Sequence, residues 1–218
     1  MDKCFNEIKK ELEDKIPDSD SKDFKEMRNK IKSQLKKKEN DLKILIRSLK
    51  IIIFGDWNTI DKKKKLEDIK SNFIKHGIYA QTIDAYYDIT TKGRLSPLQI
   101  LETCCRNHQL IVFIDGEGPG TITEQNYLIE NYIFQKKTIF FIKDDKFNEL
   151  KDDPSAYIRD FPTILTYTDS NILDKVLIYS KLRIHRLAGI IMKQTISNRG
   201  IKSPEYKPWK ERLKKLKK

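Results

Sequence analysis

Asp115, Gly116, Gly118, Gly120, Thr121 and Glu124 fall in one short stretch that follows the apolar run Leu110-Ile111-Val112-Phe113-Ile114. An aspartate at the end of such a run can orient hydroxyl groups. Glycines at Gly116, Gly118 and Gly120 leave backbone amides accessible ahead of a helix, an arrangement that suits a phosphate or another anion. The plainer reading is a tight strand-to-helix turn that needs positive φ. The spacing is neither the dinucleotide fingerprint nor a P-loop, which needs Gly-Lys-Ser/Thr. Glu124 also has two readings. With Thr121 as N-cap it completes a capping box as the N3 residue. Facing a pocket, it is a carboxylate able to act as nucleophile, or to stabilise an oxocarbenium ion during glycosidic cleavage.

The elements around this stretch predict how it is presented. Lys50–Phe54, Ile78–Ile83, Leu110–Ile114, Lys137–Ile142 and Thr163–Tyr167 read as short, β-branched, mostly continuous apolar strands. Helical patterns alternate with them over about 60–76, 97–107, 121–135 and 170–194. Gly77 is placed to end the first of these helices, and Ser96-Pro97 to open the second. Such alternation predicts an α/β, flavodoxin-like, doubly wound parallel sheet of about five strands, in the order 2-1-3-4-5. The switch point then falls between the first and third strands. Gly55-Asp56 and Asp115-Gly116 should border the pocket there. Trp57 and Tyr86 are loop aromatics that either line that pocket or cover the sheet edge. Asp84, at the end of the second strand, is either a ribose-binding acid or a turn cap.

Charge is unevenly spread. Residues 1–50 hold 15 Lys/Arg and 11 Asp/Glu, residues 51–192 hold 19 of each, and residues 193–218 hold 10 basic and 2 acidic. The excess of +12 therefore belongs to the ends, and the centre has no general attraction for polyanions. Three regions follow: a helical hairpin over 1–48, the α/β domain over 49–195 and a basic tail over 196–218. In the hairpin, one helix carries Phe5, Ile8, Leu12 and Ile16 on a single face. A second runs from about Lys22 to Arg47, and Lys36-Lys37-Lys38-Glu39-Asn40 interrupts its apolar stripe, a place for a bend or a break. The hairpin packs on the domain or pairs with another chain. The tail, with Tyr206 and Trp209 among its lysines, is either a solubilising segment or a contact for nucleic acid or an acidic partner. Three cysteines, two of them the adjacent pair Cys104-Cys105, fit a reducing, cytoplasmic compartment. Neither cysteines nor histidines have metal-ligand spacing. No apolar stretch is long enough for a membrane span.

Asp115-Gly116, then Gly120-Thr121-Ile122-Thr123-Glu124, an amphipathic helix and Lys137-Thr138-Ile139-Phe140-Phe141 together resemble the nucleoside 2-deoxyribosyltransferase family and the related TIR-like NAD glycohydrolases. The resemblance covers roughly residues 50–145. It implies an N-glycosidic bond as the target, in a nucleoside, a nucleotide or NAD, with NAD a substrate and no cofactor required. It implies Glu124 as the group acting at C1′ of the ribose. Asp84 or Asp115 would orient sugar hydroxyls. Asp56, Trp57 or Tyr86 would contact the base, with Gly55 in the pocket-lining loop. The Gly118–Gly120 amides would hold a phosphate. After Glu124 the family's small residues are replaced by Asn126-Tyr127-Leu128. A non-catalytic nucleotide-sensing or protein-interaction module of the same fold is the alternative, and a nucleic-acid-associated protein acting through its tail is the third reading.

Overall fold

The computed structural model describes residues 22–86 and 95–196. The expected helix over residues 2–16, the polar loop from Tyr87 to Arg94 and the basic tail from residue 197 lie outside the described residues. The elements are α1 (Lys22–Ser48), β1 (Lys50–Phe54), α2 (Ile60–Lys75), β2 (Tyr79–Thr82), α3 (Pro97–Asn107), β3 (Leu110–Ile114), α4 (Pro119–Glu130), α5 (Tyr132–Gln135), β4 (Thr138–Lys143), α6 (Asp144–Leu150), a 3₁₀ turn (Tyr157–Asp160), β5 (Ile164–Tyr167) and α7 (Ile172–Ile196).

The five strands form one sheet in the order β2-β1-β3-β4-β5, with every neighbouring pair parallel. This is the α/β doubly wound arrangement expected from the alternation of strands and helices. Ile51–Phe54 of β1, all of β3 and Thr138–Ile142 of β4 are buried, because helices cover both faces. Side chains alternate across the sheet. Ile52, Phe54, Ile111, Phe113, Phe140 and Ile142 pack with Cys104, Cys105 and Leu128 on one face. Phe113, Phe140 and Phe161 stack there, with ring centroids 4.5–6.4 Å apart. Adjacent strand residues, such as Ile53 and Val112, are equally buried on the opposite face.

Two compact units divide between Lys43 and Ile44. The reason is burial: Leu45 and Leu49 belong to the core, so the last turn of α1 goes with the sheet. In the first unit, Lys22–Lys43 is helical, with Met27, Ile31 and Leu35 exposed. The lysine run at Lys36–Lys38 does not break α1. Lysine is a good helix former, and the Glu39–Lys43 pair at 2.7 Å spans one turn beside it.

Other local features follow their residues. Ser96 accepts from the Gln99 amide at 3.3 Å and donates its own amide to Gln99 Oε1 at 2.8 Å, a complete capping box with Pro97 at N1. Gly77 takes φ +72° just after the His76 cap of α2. α6, absent from the pattern reading, occupies what the sequence suggests is a charged loop. The expected helix over 121–135 begins earlier and divides at Asn131 into α4 and α5.

Candidate functional site

The glycine-rich turn is built differently from its sequence reading. α4 starts at Pro119, whose fixed φ and missing donor suit the first helical position, and Gly118 is the N-cap. Thr121 is therefore the third helical residue, buried at 3% exposure, and no capping box forms between it and Glu124. Gly116, Gly118 and Gly120 do not need positive φ either; only Gly77 has it among the described glycines. Close approach explains two of them. A Cβ on Gly116 would meet Asp56 Cβ at 2.6 Å, and one on Gly118 would meet Asp56 Oδ1 at 2.7 Å. Gly120 has open space around it.

Asp56, from the loop after β1, therefore fills the turn expected to hold an external anion. Its carboxylate accepts from the Asn58 amide at 3.0 Å and from the Glu117 amide at 3.4 Å, and pairs with Lys62 Nζ at 2.6 Å. Burial alone would raise its pKa. Lys62 and the two amides outweigh that and hold it below the usual carboxylate range. Thr59 caps α2 by accepting from the Lys62 amide, which sets Lys62 one turn above Asp56.

Glu124 points inward. Its carboxyl lies near the Gly55 amide, which favours the charged form, feels the Asp56 charge and lies close enough to Cys104 and Cys105 to raise both thiols further. Burial is the main cause that pushes its pKa up to about 8, with Asp56 adding to it. Glu124 Oε2 is buried without a hydrogen-bond partner among the described residues. A buried, half-satisfied carboxyl costs stability unless something uses it.

Asp115 is held elsewhere. Tyr157 Oη donates to it at 3.0 Å, and Lys146 Nζ pairs with it at 2.7 Å. Burial first, then Asp115, pushes the Tyr157 phenol upward. Asp56, Asp115 and Gly116 line an open cleft of about 390 Å³, together with Lys62, Lys65, Leu66, Ile114, Glu117, Lys143, Lys146, Tyr167 and Asp169. Those residues come from the carboxyl ends of β1, β3, β4 and β5, from the first turns of α2 and, for Lys146, from α6. The cleft thus includes the expected switch point and runs past it. Glu124 is not among its lining residues, and neither are Gly55, Gly118, Gly120, Thr121, Trp57, Asp84 or Tyr86.

The two aromatics pack inward. Trp57 and Tyr86 lie against the core cluster that contains Cys104 and Leu128. Tyr86 meets His108 edge-on at 5.8 Å, and burial raises its phenol to about 12. Trp57 Nε1 and Asp84 Oδ1 are, like Glu124 Oε2, buried without a partner among the described residues. Asp84 sits in a helical turn directly after β2.

The residues that sequence reasoning missed are the cations of the cleft. Lys65 and Lys143 both bond Asp169, each at 2.6 Å, through different carboxylate oxygens. Those two bonds hold the Asp169 carboxyl down at about 2. A usable signal existed. Lys143 is the last residue of β4, Asp169 lies two residues past β5, and Lys62 and Lys65 are one turn apart in the helix after β1.

Fold and site together define a doubly wound α/β protein with its cleft at the carboxyl ends of the strands. No family model matches the chain, and no curated protein matches it either. Among the described residues no helix is long and apolar enough to cross a membrane, and no group of His, Cys, Asp and Glu is placed to hold a metal ion.

Proposed function

We propose that this protein cleaves or transfers at the N-glycosidic bond of a nucleoside, a nucleotide or NAD, with Glu124 as the reacting carboxyl. One observation carries the reading. Glu124 is not a helix cap; it is a carboxyl near the Gly55 amide at the end of β1, with Oε2 buried and without a partner among the described residues. The resemblance of Gly120–Glu124 to the deoxyribosyltransferase turn points to the same residue.

The chemistry would run as follows. Positive charge develops at C1′ as the C1′–N bond lengthens. The ionised Glu124 either adds its free oxygen to C1′ or stabilises that charge. The bonding pair leaves with the base. A neutral base then takes a proton from solvent, whereas a pyridinium base becomes neutral without one. Water or an acceptor nucleobase attacks C1′, loses a proton and restores the carboxylate. The nearby Gly55 amide favours the ionised form of the group. Burial and Asp56 keep the resting carboxyl largely protonated at neutral pH, so the reactive form grows as pH rises toward about 8.

The test is base release from NAD, AMP and a nucleoside panel by wild type and Glu124→Gln. Release by wild type and its loss in the variant supports the reading. No release from any of them, or equal release by the variant, sinks it.

A second reading, a nucleotide-binding module without turnover, is favoured by a different observation: the open cleft is lined by lysines and not by Glu124. Tight nucleotide binding with no base release, unchanged in Glu124→Gln, would select it.

A further inference from the structure

Four lysines, Lys62, Lys65, Lys143 and Lys146, enter the cleft and pair with three carboxylates of the chain itself, while a fourth acid, Glu117, also lines it. The three carboxylates are not equivalent. Asp56 and Asp115 are built in, with side chains 4% exposed and additional hydrogen bonds from Asn58, Glu117 and Tyr157. The Asp169 side chain is 60% exposed, stands in the turn before α7 and bridges two lysines that reach it from α2 and from the end of β4. One carboxylate joins two ammonium groups from opposite walls of the cleft. Phosphate presents a pair of oxygens in much the same way and carries more charge.

We infer that the cleft is a phosphate subsite, in which Asp169 occupies the position of a substrate phosphate between Lys65 and Lys143 and swings out when the ligand arrives. This rests on the nucleotide reading and narrows it, placing the phosphate in the cleft that adjoins Glu124 across Asp56 and favouring phosphorylated nucleotides or NAD over free nucleosides. The location fits. Asp56 is a shared wall, paired with Lys62 of the cleft on one side and acting on Glu124 on the other. A cleft of about 390 Å³ lies in the range of about 300–1,000 Å³ found for small-molecule sites. Asp169 can move because its turn is exposed and its carboxylate is held by the two lysines alone among the described contacts of that side chain. The carboxylate keeps both lysines aligned in the empty cleft, and a phosphate displaces it because two charges outcompete one.

The test is calorimetric titration of the full-length protein, at low and at physiological salt, with inorganic pyrophosphate, AMP and adenosine. Pyrophosphate and AMP should bind more tightly than adenosine. Asp169→Asn removes the competitor and should tighten AMP binding by roughly 3–10-fold, the scale of one exposed ion pair. Lys143→Gln and Lys65→Gln should each weaken AMP by at least as much while leaving adenosine unchanged. Lys143 is exposed, so that variant keeps the test valid if Lys65→Gln perturbs folding. The inference is overturned if AMP and adenosine bind equally, or if Asp169→Asn weakens AMP or leaves it unaltered. It is also overturned if a short single-stranded oligonucleotide binds more tightly than AMP with the same lysine dependence. Turnover is scored separately. Phosphate-dependent binding without base release defeats the glycosidic reading and leaves the subsite standing. Base release that is indifferent to phosphate and to Asp169 does the reverse.

Discussion

Two carboxyls near the same sheet edge have been driven in opposite directions. Glu124 is pushed up to about 8 and Asp169 down to about 2. Both lie past the carboxyl end of a strand, Glu124 inside α4 and Asp169 in the turn before α7. The difference is solvent and company. Glu124 has lost water, gained one amide and faces the like charge of Asp56. Asp169 has kept its water and gained two lysines. Desolvation dominates the first and charge pairing the second. Sequence position alone therefore says little about what a strand-end acid will do.

The largest effect that would break this comparison is on turnover. If Glu124 is the reacting group, Glu124→Gln should lower base release by about three orders of magnitude or more, the usual scale for losing a catalytic carboxyl. An initial-rate assay with NAD or AMP checks it. In wild type the same assay should rise with pH toward a plateau above about 8, where the carboxylate dominates. A rate that falls through that range would make Glu124 a general acid.

Stability gives the next effect. The folded pKa of Glu124 lies above its ordinary 4.5. Between those values the folded state holds a proton that the unfolded state has released, so stability should fall as pH rises from about 4.5 to about 8. Glu124→Gln removes that penalty and should gain on the order of a few kcal/mol relative to wild type at pH 9, with little gain at pH 4. Urea titrations at the two pH values measure it. Asp169 should behave with the opposite sign and a smaller size. Its pairing contributes above the ordinary carboxylate range and fades as pH falls toward about 2. Because it is exposed, Asp169→Asn should cost no more than about 1 kcal/mol at neutral pH.

The turn beneath Glu124 offers a finer test. Gly118→Ala would press on Asp56 and Asn58, and should cost about 1–3 kcal/mol by overpacking. Gly120→Ala has free space inside the first turn of α4 and should be neutral or stabilise by up to about 1 kcal/mol. Thermal melts separate the two. Equal losses would mean that the glycines serve the turn itself and not the packing of Asp56.

Much of the fold was legible in the chain. Ile51–Phe54 and Leu110–Ile114 are continuous apolar runs because both sheet faces are covered, and alternation with helices permitted few strand orders. Ser96, Pro97 and Gly77 marked helix ends because their local chemistry acts within a turn. Thr121 misled because Pro119, two residues earlier, is an equally good starting point and prevailed. The candidate site was legible only in part. Glu124, Gly55 and Asp56 do come together, whereas Trp57 and Tyr86 turn toward the core and Asp115 is engaged by Lys146 and Tyr157. Two members of the lysine run Lys62–Lys65 enter the cleft, a placement the run alone does not reveal.

The sequence by itself determined what depends on nearest neighbours along the chain: strand-length apolar runs, helix ends, and an acid in the helix after the third strand. Only the tertiary structure decided what each charge meets. The anion in the glycine turn is Asp56, from some sixty residues earlier, and the partner of Lys65 is Asp169, about a hundred residues later. Coulomb and desolvation energies depend on distance through space and on excluded water, and the parallel crossovers of this sheet set both.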